Sequence, residues 1–154
     1  MRKYLPTISE LIDRLSIIQL KEIFIPEHKE EYAKEIKDHM MVRNGQNIFF
    51  DWVLLGLGVD GHTASLFPGQ EEFLKTSNLC EVARHPETNQ TRITLTPSAI
   101  QSSTCITYHV IGQQKAEIVS ELVLEPPQSK KYPAAHIPGE WYLDEASASS
   151  LKQL

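Results

Sequence analysis

Asp60 and His62 are the two residues of this chain whose types and spacing most suggest acid–base chemistry. They lie in the stretch DWVLLGLGVDGHTASLFPG, residues 51–69, directly after a run of apolar residues. That run predicts a buried strand, and open α/β sheets bind ligands at the carboxyl ends of such strands. An imidazole oriented there by a carboxylate is suited to act as a general base near neutral pH. The alternative is structural, with Asp60 forming a turn and His62 an ordinary loop residue.

The same stretch has the glycine spacing of a dinucleotide-binding turn, G-x-G-x-x-G. The three glycines are Gly56, Gly58 and Gly61. Glu81 stands about 20 residues further on, where an acidic residue would bind a ribose. Such a site needs a helix of several turns after the third glycine, but Pro68 stops any helix within about two turns, and His62 would crowd the pyrophosphate. We therefore favour a loop whose glycines let the backbone turn sharply and approach a substrate.

The elements that must position this loop change in character near residue 44. Residues 1–44 predict a helical hairpin, because apolar residues from Ile8 to Ile23 recur at helical spacing and a highly charged second helix follows. From residue 45 onward, strand and helix patterns alternate. This order predicts an α/β fold with a mostly parallel sheet flanked by helices over residues 45–154, preceded by the helical segment 1–44.

Individual strands and helices follow from the same patterns. The first strand is a continuous apolar run, which predicts burial on both faces of a parallel sheet. The predicted strands are 47–58, 78–84, 91–96, 104–112 and a short one at the start of 140–154. The predicted helices are a turn opened by Pro97, an amphipathic helix over 113–125 with Ala116, Val119, Leu122 and Val123 on one face, and a C-terminal helix capped by Asp144.

Composition excludes several classes of protein. A chain of 154 residues forms one domain, and a net charge of −5 with a pI near 5.7 argues against nucleic-acid or anionic-membrane surfaces. The two cysteines form no Cys-x-x-Cys pair, and the histidines lack the spacing of a zinc site. The N-terminus has no apolar signal core, and no apolar run approaches membrane length. We therefore expect a cytoplasmic protein.

The stretch at residues 51–69 closely resembles the signature segment of the 6-phosphogluconolactonase family, which is related to the glucosamine-6-phosphate deaminases. The resemblance covers roughly two thirds of the chain, from Asn47 to Leu154. It continues in order through RITLTPSAI, ITYHVIGQQKAEIV, PAAHI and WYLDEASAS. The loop residues that favour the lactonases over the deaminases are Thr63, Ser65, Leu66 and Phe67. The resemblance implies part of the Rossmann-like fold that these two groups share.

The resemblance also implies an activity. It indicates a hydrolase of 6-phospho-D-glucono-1,5-lactone, in the second step of the pentose phosphate pathway, that uses no metal and no organic cofactor. His62 would activate water against the lactone carbonyl, and Asp60 would orient His62. The expected partner is this sugar-phosphate lactone, with no nucleic acid and no membrane. The other loop residues expected at the substrate are Gly58, Gly61, Thr63 and Ser65.

The phosphate of such a substrate needs cations held on rigid elements. Arg92 opens the strand RITLT, and its planar guanidinium suits two phosphate oxygens. Lys115 lies three residues into a helix predicted to begin at Gly112, so its ammonium and the helix N-terminus could meet one anion. Both match the family's phosphate-binding arginine and lysine.

The chain departs from the family in its first part. A Gly-Gly-Ser phosphate loop and an aspartate-glutamate-arginine segment are absent from the sequence. The missing backbone N–H donors would each be worth roughly 1.5–3 kcal/mol to a phosphate. The alternatives are a lactonase completed by residues 1–44 or by a homo-oligomer, a non-catalytic remnant or sugar-phosphate-binding module, a truncated or fused reading frame, and a glucosamine-6-phosphate deaminase-like isomerase.

Overall fold

The computed structural model describes residues 27–39, 41–43, 46–48, 50–124 and 129–153. The first helix predicted within residues 1–44 lies outside them. The helices and strands are α1 (Glu27–His39), β1 (Met41–Arg43), β2 (Gln46–Ile48), β3 (Trp52–Leu55), β4 (Cys80–Arg84), β5 (Thr91–Leu95), α2 (Pro97–Gln101), β6 (Cys105–Val110), α3 (Ala116–Leu124) and β7 (Glu140–Leu143). Short 3₁₀ turns cover Glu71–Leu74, Gln113–Lys115, Pro133–His136 and Ser149–Gln153. In this part of the chain, no helix has the length and apolar character needed to cross a bilayer.

The main sheet is parallel and has the order β3-β6-β7. Leu55 of β3 pairs with Tyr108 of β6, and Val110 of β6 pairs with Leu143 of β7. All three strands therefore end at the same edge of the sheet. Helix α3 follows β6 and packs its buried residues into the core of this sheet. The predicted α/β fold with a parallel sheet flanked by helices is confirmed.

Two smaller sheets are antiparallel, which the sequence patterns did not predict. The apolar run 47–58 is not one strand, because β2 pairs with β1 and only Trp52–Leu55 joins the main sheet. Asn44-Gly45, between β1 and β2, is a dipeptide typical of tight hairpins. The other antiparallel sheet joins β4 and β5. Among the described strands, parallel pairing is therefore confined to β3, β6 and β7.

One face of the main sheet is exposed in the described structure. Trp52 and Leu54 are 56% and 58% exposed, and Tyr142 on β7 is exposed on the same face. The prediction that the first strand is buried on both faces is therefore wrong for β3. Its alternate residue Leu55 faces the core, and β3 forms the edge of the sheet. A run of apolar residues predicts a strand, whereas the burial of each face of that strand depends on what packs against it.

The core lies on the opposite face of this sheet. Tyr108 is fully buried there, stacks on Trp141 with ring centroids 4.3 Å apart, and donates from its hydroxyl to the carbonyls of Ala134 and Ile137. These bonds satisfy the phenol and fix the segment around Pro133–His136 against the sheet. Burial raises the pKa of Tyr108 well above its usual value. This segment also contacts the loop that carries Asp60 and His62.

Helix α1 packs against the β4–β5 hairpin. Its buried residues share an apolar cluster with the hairpin and with α2; the cluster consists of Ala33, Ile36, Leu79, Cys80 and Ala99. Lys29 forms an ion pair with Glu81, with Nζ and Oε2 3.3 Å apart. The described part of the segment 1–44 therefore contacts the α/β region at β4. The boundary at residues 44 and 45 stays a prediction.

The helix predicted to open at Pro97 is confirmed, and two other helix predictions need correction. Thr96 caps α2 by accepting from the Ala99 N–H, with Pro97 at the first helical position. The helix predicted over 113–125 is a 3₁₀ turn followed by α3, and Val123 is exposed. The chain after Asp144 forms turns and a 3₁₀ segment in place of the predicted helix.

Candidate active site

The loops after β3 and β6 lie at the same edge of the sheet. The loop after β3 carries Asp60 and His62, and the loop after β6 carries Lys115. Because β3 and β6 are parallel neighbours, their carboxyl ends are adjacent. This edge is where open α/β sheets bind ligands. The topology therefore brings the predicted base and one predicted phosphate-binding cation to one end of the sheet.

Short-range hydrogen bonds close the loop that carries Asp60 and His62. The Gly58 N–H donates to the His62 carbonyl at 2.8 Å, and the Gly61 N–H donates to the Gly58 carbonyl at 3.1 Å. No helix forms directly after Gly61, and Thr63 pairs instead with Leu66 in an isolated bridge. This loop has no helix N-terminus for a pyrophosphate, which argues further against a dinucleotide site.

Asp60 and His62 form a close hydrogen-bonded pair. The His62 Nδ1 is 2.6 Å from Asp60 Oδ1, and the same oxygen accepts from the His62 backbone N–H at 3.2 Å. Burial acts to raise the pKa of Asp60, but the hydrogen bonds from the His62 ring and backbone, with the ring's charge, lower it below its usual value. An ionised Asp60 can only accept, so Nδ1 carries the hydrogen and the Nε2 lone pair is left free.

The pair remains accessible to a substrate. The Asp60 side chain is 42% exposed and the His62 side chain 29% exposed. A general base must reach water and substrate, and this pair stands at the surface of the sheet edge. The geometry shows that Asp60 and His62 lie together.

Gly58 lies directly beneath this pair. A Cβ atom at residue 58 would lie 2.1 Å from His62 Nδ1 and 2.4 Å from Asp60 Oδ1. Any side chain there would displace both groups. The glycine is thus required because the backbone passes close under the acid–base pair. This role differs from the predicted contact with substrate.

Gly61 has a different constraint. Its φ of +79° favours glycine, and a Cβ atom would lie 2.4 Å from the Tyr132 ring. The Gly61 carbonyl accepts from the Ala134 N–H at 3.2 Å, and the Tyr132 hydroxyl donates to Glu121 on α3. The loop is therefore held against the segment that precedes β7. Gly61 is buried, so its role here is to pack the loop.

Thr63 and Ser65 have structural contacts. The Thr63 hydroxyl is buried and donates to the Gly56 carbonyl at 2.8 Å. In this structure the Thr63 hydroxyl therefore faces into the loop, and its contact with the substrate stays a prediction. The backbone N–H of Ser65 donates to Thr94 Oγ1 on β5 at 3.1 Å, while its own side chain is only half-buried. Ser65 therefore ties the loop to β5 and keeps its hydroxyl available.

Arg92 contacts the loop that carries Asp60 and His62 through the ring of Phe67. Its Cζ atom lies 6.0 Å from the Phe67 ring centroid, and the ring centroids of Phe67 and His62 are 5.0 Å apart. The guanidinium donates from Nε and Nη2 to Gln90 Oε1 at 3.0 and 2.8 Å. It makes no salt bridge to a carboxylate of the described residues, so its charge is available to an anion.

Lys115 ends the 3₁₀ turn Gln113–Lys115, directly before α3. Gly112 opens this turn with a φ of +96°, and its N–H donates to both carboxylate oxygens of Asp144 at 3.1 and 3.2 Å. Asp144 follows β7, so this bond ties two loops at the sheet edge. Lys115 is half-buried and forms no salt bridge with the part of the chain described. The predicted proximity of Lys115 to a helix N-terminus holds, although α3 begins at Ala116.

Glu81 does not serve as a ribose ligand. Its carboxylate accepts from Asn78 and Thr76 and pairs with Lys29 of α1. These hydrogen bonds oppose the effect of burial and lower the pKa of Glu81. Glu81 also lies on β4, whose one partner among the described strands is β5. The acidic residue that suggested a dinucleotide site is therefore an anchor for α1.

Three contributors to the site were missed by the sequence analysis. Phe67 contacts His62 and Arg92, Tyr132 packs on Gly61, and Asp144 holds the loop before Lys115. The last two join residues far apart in the chain, which local patterns do not reveal. For Phe67 a signal existed, because an aromatic residue five positions after a candidate base can fold back onto it.

The fold and this site define an α/β protein with an acid–base pair and nearby cations at the carboxyl edge of a parallel sheet. The chain belongs to the family described as glucosamine-6-phosphate isomerases/6-phosphogluconolactonase, whose sequence model matches residues 5–143. That match begins inside the segment 1–44, which the sequence analysis had set outside the resemblance.

Individual relatives agree with this family. The chain is 46% identical over 110 residues to the 6-phosphogluconolactonase of Haemophilus influenzae, an alignment that covers 68% of this chain and 47% of that relative. It is 30% identical over 137 residues to the Homo sapiens 6-phosphogluconolactonase, covering 84% of this chain and 52% of that relative. The chain thus spans about half the length of these relatives.

Solved structures give the same result for the fold. The crystal structure of the devB protein superposes with a TM-score of 0.75 and 41% identity over 84% of this chain and 56% of that chain. The 6-phosphogluconolactonase from Trypanosoma brucei superposes with a TM-score of 0.66 and 28% identity, over 81% of this chain and 53% of that chain. The fold described above is therefore the fold of this family.

Proposed function

We propose that this chain hydrolyses 6-phospho-D-glucono-1,5-lactone to 6-phosphogluconate, a step of the pentose phosphate pathway. The observation that carries the proposal is the Asp60–His62 pair, with 2.6 Å between Oδ1 and Nδ1, at the carboxyl edge of β3. The similarity to lactonases supports the choice of substrate.

The chemistry assigned to the pair is general-base catalysis. Asp60 holds the Nδ1–H of His62, and the free Nε2 removes a proton from water as the water oxygen attacks the lactone carbonyl carbon. The resulting imidazolium is stabilised by the ionised Asp60. The imidazolium then returns this proton to the ring oxygen of the lactone as the ester C–O bond breaks, which leaves a carboxylic acid and a hydroxyl group. A positioned base of this kind contributes roughly 10²–10⁴-fold to a rate.

Arg92 and Lys115 are the proposed ligands of the substrate phosphate. Arg92 lies against the loop through Phe67 and has no carboxylate partner among the described residues. Lys115 stands at the end of β6 beside the N-terminus of α3, where the helix dipole favours an anion. Ser65 is the loop hydroxyl that remains available to the sugar. We propose no metal or organic cofactor, since the steps above use only side chains and water.

The experiment that tests this proposal compares two lactones. Initial rates are measured near neutral pH for 6-phospho-D-glucono-1,5-lactone and for unphosphorylated D-glucono-1,5-lactone, each corrected for spontaneous hydrolysis. We expect catalysed hydrolysis that strongly prefers the phosphorylated lactone, with the preference reduced in Arg92→Gln and in Lys115→Gln. A rate equal to the spontaneous background for both lactones would contradict the proposal.

A second candidate function is sugar-phosphate binding without turnover. It is favoured by one observation: neither Arg92 nor Lys115 forms a salt bridge within the described residues, so both cations are available to a phosphate with or without turnover. Calorimetric titration with 6-phosphogluconate separates the two functions. Binding that depends on Arg92 and Lys115, together with a hydrolysis rate at background, would favour the binding module. Catalysis above background favours the lactonase.

We also propose that the protein self-associates through the exposed face of its main sheet. Trp52, Leu54 and Tyr142 present apolar surface there, and β3 has a free edge among the described strands. Parallel sheets are normally covered on both faces, and free edges invite pairing. Sedimentation equilibrium should detect a dimer that Leu54→Lys dissociates. A wild-type monomer across micromolar concentrations would contradict this part of the proposal.

The cytoplasm is the compartment we propose for this protein. Cys80 and Cys105 are free thiols, which suits a reducing environment. Fractionation of cells that express the chain should recover it with cytoplasmic markers. Recovery with membranes or in the medium would contradict the assignment.

A further inference from the structure

Phe67 is a buried ring shared by the side chains that the proposed reaction uses. It is only 1% exposed. Its ring centroid lies 5.0 Å from that of His62, and Arg92 Cζ lies 6.0 Å from the same centroid. A third side chain, His85, meets the ring edge-on with centroids 4.9 Å apart. One apolar ring thus contacts the proposed base, a proposed phosphate ligand and a second imidazole.

We propose that Phe67 is a positioning residue that fixes the His62 imidazole and the Arg92 guanidinium relative to each other. This inference rests on the proposed function of those two residues. Phe67 does not itself need to touch the substrate, because it is buried beneath them. It acts through the two groups that do.

His62 needs a second support besides Asp60. The hydrogen bond from Nδ1 fixes one atom of the imidazole, and its partner Asp60 is itself partly exposed on a loop. A single bond of this kind leaves the ring plane free to tilt, and with it the direction of Nε2. The contact with Phe67, at an interplanar angle of 49°, restricts that tilt. Because the Phe67 ring is close-packed, it gives the imidazole a rigid surface.

Arg92 is held in a similar way from the other side. Gln90 accepts two of its N–H groups, which fixes the plane of the guanidinium. The Phe67 ring lies at the outer range of a cation–π contact, so it mainly limits where the head group can move. The two ring distances keep the His62 ring centroid and Arg92 Cζ no more than about 11 Å apart. One hexose phosphate can meet both groups across such a separation.

His85 holds the Phe67 ring in place. Its Nδ1 accepts from the backbone N–H groups of Glu87 and Thr88 at 3.2 and 3.3 Å, so this nitrogen carries no hydrogen. These bonds fix the imidazole in the turn between β4 and β5. Its contact with Phe67 at 63° then prevents that ring from moving away from His62. His85 therefore has a structural role, because it supports the Phe67 ring.

The test uses Phe67→Leu, with Phe73→Leu as the matched control. Both changes replace a phenylalanine by leucine. Phe73 is a half-buried residue of the 3₁₀ turn Glu71–Leu74 that packs against the core containing Leu66, and within the described structure its ring does not contact His62 or Arg92. We expect Phe67→Leu to lower kcat for both lactones by about 10-fold or more, through His62. It should also raise KM for the phosphorylated lactone alone, through Arg92. Phe73→Leu should leave kcat and KM within about 2-fold of wild type when rates are expressed per folded molecule.

A second readout does not depend on turnover. The Nδ1 proton of His62, bonded to Asp60, should give a low-field proton NMR signal in the wild type and in Phe73→Leu. We expect this signal to broaden or disappear in Phe67→Leu, with urea unfolding used to verify that the variant is folded. A folded Phe67→Leu variant that keeps this signal would overturn the positioning role. Wild-type kcat and KM in that variant would also overturn it. A wild-type protein that shows the signal but does not hydrolyse the lactone would instead contradict the proposed function alone.

Discussion

Gly58→Ala introduces a methyl group where the Asp60–His62 pair now lies. The added Cβ would be 2.1 Å from His62 Nδ1 and 2.4 Å from Asp60 Oδ1, whereas carbon atoms pack at roughly 3.5–4.0 Å. Relief of this overlap requires the imidazole to move by about 1 Å or more. The backbone conformation of Gly58 itself is not in the left-handed region, so the change acts on the pair and not through backbone strain.

The displacement has a definite expected effect. A misplacement of about 1 Å in a catalytic group can cost about 10²-fold in rate. We therefore expect kcat for the phosphorylated lactone to fall about 100-fold in Gly58→Ala, which corresponds to about 2.7 kcal/mol of activation free energy. KM should change little, because Arg92 and Lys115 are untouched.

Gly56→Ala is the matched control in the same loop. A Cβ atom at residue 56 meets nothing within 4 Å, and its φ is not positive. This variant should keep wild-type kcat and gain up to about 0.4–1 kcal/mol of stability from reduced freedom of the unfolded chain. Both variants are assayed by initial lactone hydrolysis above the spontaneous rate, with folding checked by urea unfolding. A folded Gly58→Ala protein with kcat within about 3-fold of wild type would refute the reasoning.

Three further perturbations test other parts of the site. Asp60→Asn should lower kcat about 10²-fold, since an amide no longer enforces the Nδ1–H form of His62. Folding lowers the pKa of Asp60, so its contribution to stability is present above the usual value of 3.8 and is lost as the pH falls through the lower folded value. Urea unfolding should show this acid-side loss of stability in the wild type and not in the variant. Arg92→Gln should raise KM about 10-fold or more for the phosphorylated lactone, as one charge-assisted bond is worth about 1.5–3 kcal/mol; an equal rise for the unphosphorylated lactone would contradict a phosphate contact. Gly61→Ala should reduce the free energy of unfolding by about 1–3 kcal/mol, because a positive φ and the Tyr132 ring both oppose a Cβ; unchanged urea unfolding would argue against this packing role.

Much of the fold could be predicted because the patterns involved are local. The apolar run over β6, the proline and threonine that open α2, and the alternation of strand and helix all act within a few residues. Burial of β3 could not be predicted in this way. Whether Leu54 faces protein or solvent depends on which other segment covers the sheet, and an apolar sequence is compatible with either.

In the site, too, contacts between residues close in the chain were predictable and contacts between distant residues were not. Asp60 and His62 are two residues apart, so their pairing follows from a tight turn and was predictable. The resemblance implies that Thr63 lines the substrate, but no local pattern indicated that its hydroxyl donates to the Gly56 carbonyl seven residues earlier. The support from Tyr132 comes from more than 70 residues away and left no local signal.

The most direct test of the central claim is the rate of 6-phospho-D-glucono-1,5-lactone hydrolysis by His62→Ala beside His28→Ala. His28 is an exposed histidine of α1 that pairs with Glu31, so its loss controls for removal of an imidazole elsewhere. We expect His62→Ala to lose roughly 10²–10⁴-fold of the catalysed rate. His28→Ala should retain wild-type activity. Equal activity above background in wild type, His28→Ala and His62→Ala would contradict the account.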